Sequence, residues 1–188
     1  ARSYVDEGQV PGIITMMNRG GKVVHFEAKG TRGVADDKPI KKDDLFRIYS
    51  MTKPITAVAA MQLYEQGKFS LKDPVAKFVP ELANLKVRQS DGTLVDAKPI
   101  TMHQLLTHTA GFSYGFDPRD PVDVLYREAA LWQARDLTHF AEKLAELPLK
   151  FDPGTQWHYS VAVDITGLVV ERISGISFDR YLLDNLFK

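Results

Sequence analysis

Two apolar, β-branched runs near the N-terminus constrain the fold of this chain more than any other feature. Residues 13–17 and 23–28 flank a Gly20-Gly21 pair, a pattern that is typical of a β-hairpin. No later run has comparable β character. An isolated two-stranded sheet is marginally stable in water, and its free edges favour further pairing. We therefore expect a second polypeptide segment to complete this sheet.

Helical periodicity dominates the sequence after residue 50. Apolar residues recur at helical spacing over residues 51–66 and 163–173, and a glycine closely follows each pattern as a stop signal. Ser50 has a side chain that favours the N-cap position, and Pro54 in the first turn predicts an irregular helix start. Shorter patterns predict helices over residues 71–80, 100–107 (capped by Thr101), 124–147 and 178–186, with an exposed polar loop over 86–99 that turns at Asp91-Gly92.

The composition excludes several function classes. Lysine and arginine number 24 and aspartate and glutamate number 24, so zero net charge and the lack of a like-charged run predict no nucleic-acid or membrane partner. No stretch reaches the ~18 apolar residues of a membrane-spanning helix. The absence of cysteine excludes disulfides, thiolate metal sites and a cysteine nucleophile, but it leaves the compartment open, with the cytoplasm favoured over the periplasm or secretion. We expect a domain that acts on a small molecule.

The strongest catalytic candidate is Ser50-Met51-Thr52-Lys53, an S-x-x-K element at a helix start. Three residues along a helix turn by about 300°, so the side chains of Ser50 and Lys53 lie on one face. A serine nucleophile needs a base within hydrogen-bond reach, which a lysine supplies when burial or a neighbouring cation lowers its pKa. The helix N-terminus adds backbone amides for an oxyanion. The alternative is a capping serine beside an exposed lysine.

Tyr159 is the second candidate. It lies in Trp157-His158-Tyr159-Ser160, between a Pro153-Gly154 turn and an apolar helix. A tyrosine hydroxyl relays protons when cationic neighbours favour its phenolate, and Lys53 is a candidate for such a neighbour. The alternative is a tyrosine that only packs against other side chains.

Ser113 lies in Gly111-Phe112-Ser113-Tyr114-Gly115, which fits the G-x-S-x-G motif of α/β-hydrolases. That motif requires a strand before the serine and a helix after it. Here a helical pattern precedes it and a Pro- and Asp-rich loop follows. We therefore expect Ser113 not to be the nucleophile.

The histidines and the acidic loop carry weaker signals. His103 and His108 lack the H-E-x-x-H spacing of a zinc helix, and we expect His108 to make a structural hydrogen bond at a helix end. His158 adjoins Tyr159, but adjacent side chains on an extended segment point apart. Asp117, Asp120 and Asp123 predict a solvated turn, with a calcium site as the alternative. No phosphate loop or dinucleotide motif is present, and we predict no cofactor and no metal.

Several motifs in one order give the chain a resemblance to the serine β-lactamase-like hydrolases. It resembles in particular the family VIII carboxylesterases, which are similar to class C β-lactamases and to penicillin-binding proteins. Residues 46–54, which contain the S-x-x-K element, resemble the active-site segment of that family. Further similar segments are Val10-Pro11-Gly12, residues 71–75, residues 105–111, residues 151–154, and Tyr159-Ser160 before a helix that ends at Ser174-Gly175.

The resemblance implies a fold and a mechanism. The fold would be α/β of the α+β type: an antiparallel sheet flanked by helices, plus a mostly helical region, with the sheet incomplete in this chain. The expected division is residues 1–68 (hairpin and active-site helix), 69–162 (mostly helical) and 163–188 (helices returning to the sheet). Ser50 would attack a small acyl ester to form an acyl-enzyme, Lys53 and Tyr159 would share the proton transfers, and the Ser50 amide would supply half of the oxyanion hole.

Two departures from the family pattern bear on the function. The second motif is often Y-x-N, but position 161 is Val161, which removes an amide that would bind a β-lactam side chain. The third motif, on a late strand, is not found before Lys188. Since the loss of one oxyanion donor typically costs about 10²–10³ in rate, we expect this chain alone to be inactive unless a second polypeptide segment supplies the missing part.

The leading interpretation is therefore a serine carboxylesterase acting on small acyl esters. One alternative is a β-lactamase or DD-peptidase that uses the same site. Another is a non-catalytic relative or fragment, a binding module whose S-x-x-K element is vestigial.

Overall fold

The computed structural model describes residues 2–188, which divide into two compact units, one that ends at Tyr49 and one over residues 50–188. In the first unit a short helix, α1 (Arg2–Asp6), precedes two antiparallel strands, β1 (Gly12–Arg19) and β2 (Lys22–Gly30). Gly20 and Gly21 have φ values of 56° and 75°, which the tight turn of a two-residue hairpin requires. The predicted hairpin is confirmed, whereas α1 was not predicted.

The β1–β2 sheet is incomplete. It has two strands in the part of the chain that the structure describes, and Met16, Met17 and Val24 expose 61%, 58% and 61% of their surface. Large apolar side chains on a sheet face are normally covered by another layer. The hairpin therefore has the character of one part of a larger sheet.

The second unit is mostly helical. Its helices and strands are α2 (Thr52–Glu65), β3 (Lys86–Arg88), β4 (Leu94–Asp96), α3 (Met102–Leu106), α4 (Pro121–Glu128), α5 (Leu137–Ala145), α6 (Ala162–Ser174) and α7 (Phe178–Leu182). Short 3₁₀ turns lie between several of them. The mixed α/β architecture agrees with the predicted fold class.

Helix α6 forms the centre of the second unit. Ile165, Leu168 and Val169 on this helix are fully buried, and α2 packs against it through the buried Ala59 and Ala60. Alanine side chains leave room for close approach of the two helices. This packing brings the start of α2 beside the segment that leads into α6, which are the two places where the sequence predicts site residues.

Residues 71–99 differ from the prediction. The helix predicted over residues 71–80 is two 3₁₀ turns, Val75–Lys77 and Pro80–Leu82, because the prolines at positions 74 and 80 interrupt helical hydrogen bonding. The predicted exposed loop over 86–99 contains the β3–β4 hairpin. Val87 on β3 is 3% exposed, so its burial accounts for the ordered strand. The predicted turn at Asp91-Gly92 is confirmed.

The remaining helices agree with their predictions in kind. Thr101 caps α3 through a capping box with Gln104. The pattern over residues 124–147 forms two helices, of which α4 starts earlier than predicted because Asp120 caps it. Helix α6 ends at Gly175, as predicted. After α7 the chain continues in a π-helical turn, Leu183–Phe187.

The boundary between the compact units lies at residues 49 and 50. The division of the chain at residues 68 and 162 stays a prediction. Across residues 2–188, none of the helices combines the length and the apolar character needed to cross a bilayer.

Candidate active site

Ser50 lies directly before α2, in a 3₁₀ turn over Tyr49–Met51. Met51 is the N-cap residue of α2 and makes no side-chain capping hydrogen bond within the described chain. The predicted N-cap role of Ser50 is therefore wrong, and the predicted irregular helix start is confirmed. Because the exposed Ser50 hydroxyl is not engaged in capping, it is free to contact side chains from other elements.

The structure brings Ser50, Lys53 and Tyr159 together. The Tyr159 hydroxyl donates to Ser50 Oγ over 2.7 Å, and Lys53 Nζ donates to the same oxygen over 3.3 Å. The first turn of α2 holds Lys53 beside Ser50, and the segment preceding α6 delivers Tyr159 from the other side. All three residues lie within the unit 50–188. The serine oxygen thus has two groups within reach that can accept or donate a proton.

The surroundings of Lys53 and Tyr159 favour a charged lysine beside a tyrosine hydroxyl of lowered pKa. Burial lowers the pKa of Lys53, but hydrogen bonds with the hydroxyls of Tyr114 and Tyr159 raise it, and the pKa lies above its ordinary value. Burial raises the pKa of Tyr159, whereas hydrogen bonds with Lys53 and Ser50 and the lysine charge bring it below its ordinary value. The condition under which Lys53 acts as the base, a lowered pKa, is therefore not met in this arrangement.

Tyr114 is a site residue that the sequence analysis missed. Lys53 Nζ lies 5.2 Å from the centre of the Tyr114 ring and 4.7 Å from that of Tyr159, so the ammonium contacts two aromatic faces. The two rings are 5.4 Å apart. Burial raises the pKa of the Tyr114 hydroxyl, which keeps it protonated. The G-x-S-x-G segment contained this tyrosine, but the motif drew attention to its serine.

Asp164 lies behind Tyr114, in the first turn of α6. The Tyr114 hydroxyl is 3.5 Å from Asp164 Oδ2, at the limit of a hydrogen bond. Burial raises the pKa of Asp164, although the charge of Lys53 opposes this. The available sequence signal was an acidic residue at the start of a helix that is otherwise apolar on several faces.

His108 supports the ring of Tyr159. The two ring centres are 4.9 Å apart, and the Ser160 backbone N–H donates to His108 Nδ1 over 3.3 Å. Burial and the nearby charge of Lys53 lower the pKa of His108, so the ring stays neutral at pH 7. The expected structural hydrogen bond at a helix end is confirmed. His158 points the other way from Tyr159, towards Ser113, with Nε2 3.4 Å from Oγ.

Ser113 is fully buried and unsuited to attack a substrate. Its hydroxyl donates to Asp123 Oδ1 over 2.6 Å, and not to an imidazole that would activate it. The backbone N–H of Gly115 also donates to Ser113 Oγ, over 3.1 Å. Ser113 stands in the loop between α3 and α4, where the nucleophile elbow is not formed because a helix and not a strand precedes it.

The acidic residues after Ser113 form a structural cluster. Lys150 Nζ lies 2.7 Å from Asp123 Oδ1 and 3.0 Å from Asp120 Oδ2, and the Asp123 side chain is 2% exposed. The predicted solvated turn is therefore wrong for Asp123, because this carboxylate is enclosed and paired. Within residues 2–188, no group of three or more His, Cys, Asp or Glu side chains is arranged to hold a metal ion.

Comparisons with known proteins add the family to this geometry. The Beta-lactamase family model matches residues 1–188. Protein Rv1367c of Mycobacterium tuberculosis is 37% identical over 177 residues, which cover 92% of this chain and 44% of that protein. Esterase EstB of Burkholderia gladioli is 34% identical over 175 residues, which cover 90% of this chain and 42% of the esterase.

A solved structure of a hydrolase is also similar to this chain. EstCE1, described as a hydrolase with promiscuous acyltransferase activity, superposes with a TM-score of 0.82 at 29% identity, over 96% of this chain and 47% of its own. The chain therefore spans less than half the length of each of these three proteins. The resemblance expected from the sequence motifs is confirmed for this N-terminal portion.

Proposed function

The chain belongs to the β-lactamase family, and on that premise we propose that it carries the nucleophile of a serine carboxylesterase that acts on small acyl esters. The observation that carries the proposal is the pair of contacts on Ser50 Oγ, from Tyr159 at 2.7 Å and from Lys53 at 3.3 Å. Similarity to an esterase and to a hydrolase with acyltransferase activity supports the same reaction class.

In acylation, Tyr159 is the group best suited to take the serine proton. Lys53 lowers the pKa of Tyr159, so a phenolate is accessible beside an ammonium that remains charged. The proton of Ser50 passes to the Tyr159 oxygen while Oγ forms a bond to the ester carbonyl carbon. When the tetrahedral intermediate collapses, the bond to the alcohol oxygen breaks and Tyr159 returns the proton to the leaving alcohol.

In deacylation the same groups act on a second nucleophile. A water molecule gives its proton to Tyr159 and attacks the acyl carbonyl, and Ser50 leaves with a proton returned by the tyrosine. An alcohol in place of water gives acyl transfer, and the promiscuous acyltransferase activity of EstCE1 favours this as a side reaction. Lys53 keeps its charge throughout and stabilises the phenolate.

The oxyanion site is proposed to be shared between segments. The Ser50 amide, at the start of α2, would supply one donor. The chain spans 42% of EstB, and its β1–β2 sheet has two strands in the described residues. We propose that a second polypeptide segment completes the sheet, supplies the other donor, and is required for turnover. Robust ester hydrolysis by residues 1–188 alone would contradict this part.

Val161 favours an esterase over a β-lactamase. The position two residues after Tyr159 carries an apolar side chain that is fully buried. It offers no amide to a β-lactam side chain. Hydrolysis of a short p-nitrophenyl ester should therefore exceed that of a chromogenic cephalosporin, and the opposite order would favour the lactamase alternative.

Covalent labelling tests the nucleophile in the protein as its gene encodes it. A fluorophosphonate should give one adduct, which mass spectrometry places on Ser50. The Ser50→Ala variant should lose the adduct and Ser113→Ala should keep it. No adduct in the folded wild type would favour the binding module, and an adduct lost in Ser113→Ala would move the nucleophile to that serine.

A further inference from the structure

A cavity of about 290 Å³ lies beside the candidate active site in the second unit. Its lining includes the apolar and aromatic side chains of Leu131, Trp132, Leu137 and Phe140 and the carboxylate of Asp164. The volume is close to the lower end of small-ligand pockets, roughly 300 Å³. A cavity of this kind is large enough for one compact substrate group.

The cavity adjoins the reacting serine through one aromatic ring. Tyr114 contacts the ammonium of Lys53 at 5.2 Å on one side, and its hydroxyl is 3.5 Å from Asp164 on the other. The Trp132 ring is stacked on Tyr114 with centres 5.9 Å apart. A substrate bound at Ser50 therefore needs only a short chain to place a second group in the cavity.

Asp164 is incompletely satisfied in its surroundings. Within residues 2–188 it forms no salt bridge, and its side-chain contact with the Tyr114 hydroxyl is at the limiting distance. The other carboxylate of the lining, Asp136, is already paired: it accepts from the His139 backbone N–H over 2.7 Å and lies 3.4 Å from Arg135 Nε. Burial raises the pKa of Asp164, and this effect exceeds the opposing effects of the Lys53 charge, the Asp164 backbone amide and the Tyr114 hydroxyl.

Trp132 is unusually open for a large aromatic side chain. It is 65% exposed, and its ring is stacked on Tyr114 and tilted against Phe140, whose centre is 5.7 Å away. An exposed indole and a carboxylate that line the same pocket are a combination suited to alkylammonium groups, through cation–π attraction and charge pairing. The lining side chains within the described chain include no lysine or arginine to compete for the site.

We propose that this cavity binds an alkylammonium group of the substrate, with Asp164 as counter-ion and the Trp132 ring as cation–π partner. The inference deepens the proposed function and rests on it in one respect, namely that the bound ammonium group belongs to a substrate. The binding of the cation itself does not depend on catalysis. Lys53 does not take the role of the cation because its ammonium is engaged by Ser50 and two tyrosine rings.

The first test measures binding without turnover. Choline and its neutral isostere, 3,3-dimethylbutan-1-ol, differ by a positive nitrogen in place of a carbon. Titration calorimetry on the protein as its gene encodes it should give a higher affinity for choline than for the isostere. Asp164→Asn should reduce this preference about tenfold, and the control Asp96→Asn, at a side chain that is 87% exposed, should leave it unchanged.

The second test uses two isosteric ester pairs. One pair places the charge in the alcohol (acetylcholine and 3,3-dimethylbutyl acetate) and the other in the acyl chain (p-nitrophenyl esters of 4-trimethylammoniobutanoate and 5,5-dimethylhexanoate). The kcat/KM ratio of charged to neutral ester should exceed one in at least one pair and fall about tenfold in Asp164→Asn. Ratios within one variant cancel any general loss of activity. Trp132→Leu, at an exposed position, gives the same readout if Asp164→Asn does not fold.

The outcomes separate the two proposals. Equal binding of choline and its isostere, or a preference that neither variant reduces, overturns the ammonium site even if neutral esters are hydrolysed. Choline binding that requires Asp164, with no ester hydrolysed, supports the site and overturns the proposed esterase function.

Discussion

The Tyr159 hydroxyl lies 2.7 Å from Ser50 Oγ although 109 positions separate the two residues. Their contact depends on the packing of α2 against α6, because each residue lies shortly before one of these helices. Lys53 is placed in the same group by its position one helical turn after Ser50. The site therefore combines one local pairing with one long-range pairing.

Removal of the Tyr159 hydroxyl tests the long-range pairing. Tyr159→Phe should lower kcat/KM for a neutral ester by about 10²–10⁴, because the general acid–base group is lost while the ring keeps its contact with His108. Circular dichroism should remain unchanged. The matched control is Tyr64→Phe on α2, which should keep wild-type activity; near-normal rates in Tyr159→Phe would show that its proton-transfer role is wrong.

Loss of the lysine charge should move the pH dependence of the reaction. Lys53 lowers the pKa of Tyr159, so Lys53→Ala raises that pKa and shifts the rising limb of kcat/KM to higher pH, with a large loss of activity near pH 7. Lys72→Ala, at an exposed position, serves as control. If kcat/KM falls at every pH but its rising limb stays at the same pH, Lys53 does not lower the pKa of the tyrosine.

The Tyr114 hydroxyl should act on Lys53. A hydrogen bond with this hydroxyl raises the pKa of the lysine, so Tyr114→Phe lowers that pKa and moves the falling alkaline limb of kcat/KM to lower pH. The retained ring preserves the cation–π contact, which isolates the effect of the hydroxyl. An alkaline limb that does not move, measured over the same buffers, refutes this assignment.

Ser113→Ala should separate stability from activity. The Asp123 carboxylate loses a buried hydrogen-bond donor, and we expect the free energy of unfolding to fall by about 1–3 kcal/mol in urea denaturation. Ester hydrolysis should stay within a few-fold of wild type because Ser50 is untouched. Complete loss of hydrolysis in a folded Ser113→Ala protein is the result that this interpretation does not allow.

Lys150 should contribute more to stability than an exposed lysine. Lys150→Met leaves the enclosed Asp123 carboxylate without its cation and should cost about 3 kcal/mol of unfolding free energy. Lys98→Met, whose side chain is 72% exposed with its amine 3.7 Å from Asp152, should cost less than about 0.5 kcal/mol. Similar losses of unfolding free energy in both variants argue against a stabilising role of the Lys150–Asp123 ion pair.

The pH dependence of stability provides a second check on this cluster. Burial raises the pKa of Asp123, but the hydrogen bonds of Lys150 and Ser113 lower it, and it lies below the ordinary value. A carboxyl of lowered pKa stabilises the folded protein above its unfolded pKa, and that contribution is lost as the pH falls through the folded pKa. In urea denaturation, the free energy of unfolding of Lys150→Met should therefore fall less steeply with decreasing pH than that of the wild type.

Local signals predicted several of the elements and two of the site residues. The Gly20-Gly21 pair, the apolar spacing after Met51 and the Thr101 capping box each express short-range physics, and all three predicted elements are present. Ser50 and Lys53 were also found together because helical spacing fixes their proximity. The family motifs placed Tyr159 with them, which spacing alone does not do.

The rest of the site depends on contacts between distant segments. Tyr114 reaches Lys53 because the loop before α4 is held by buried hydrogen bonds of Ser113 to Asp123, which no sequence period encodes. The lysine pKa is a further example, since it depends on two hydroxyls that arrive from other parts of the chain. The predicted exposed loop over residues 86–99 is wrong at Val87 for the same reason. The burial of Val87 comes from tertiary packing, which the polar residues around it in the sequence do not indicate.

The enclosed group formed by Ser113, His158 and Asp123 has a wider consequence for recognising hydrolases from coordinates. A hydroxyl, an imidazole and a carboxylate are near neighbours there, so a search by proximity would choose this serine over the one that stands in the open. What disqualifies the group is the direction of the serine hydroxyl, which donates to Asp123, and the complete burial of Ser113. Geometric templates for enzyme triads gain discrimination when they require both an oriented proton path and an entrance.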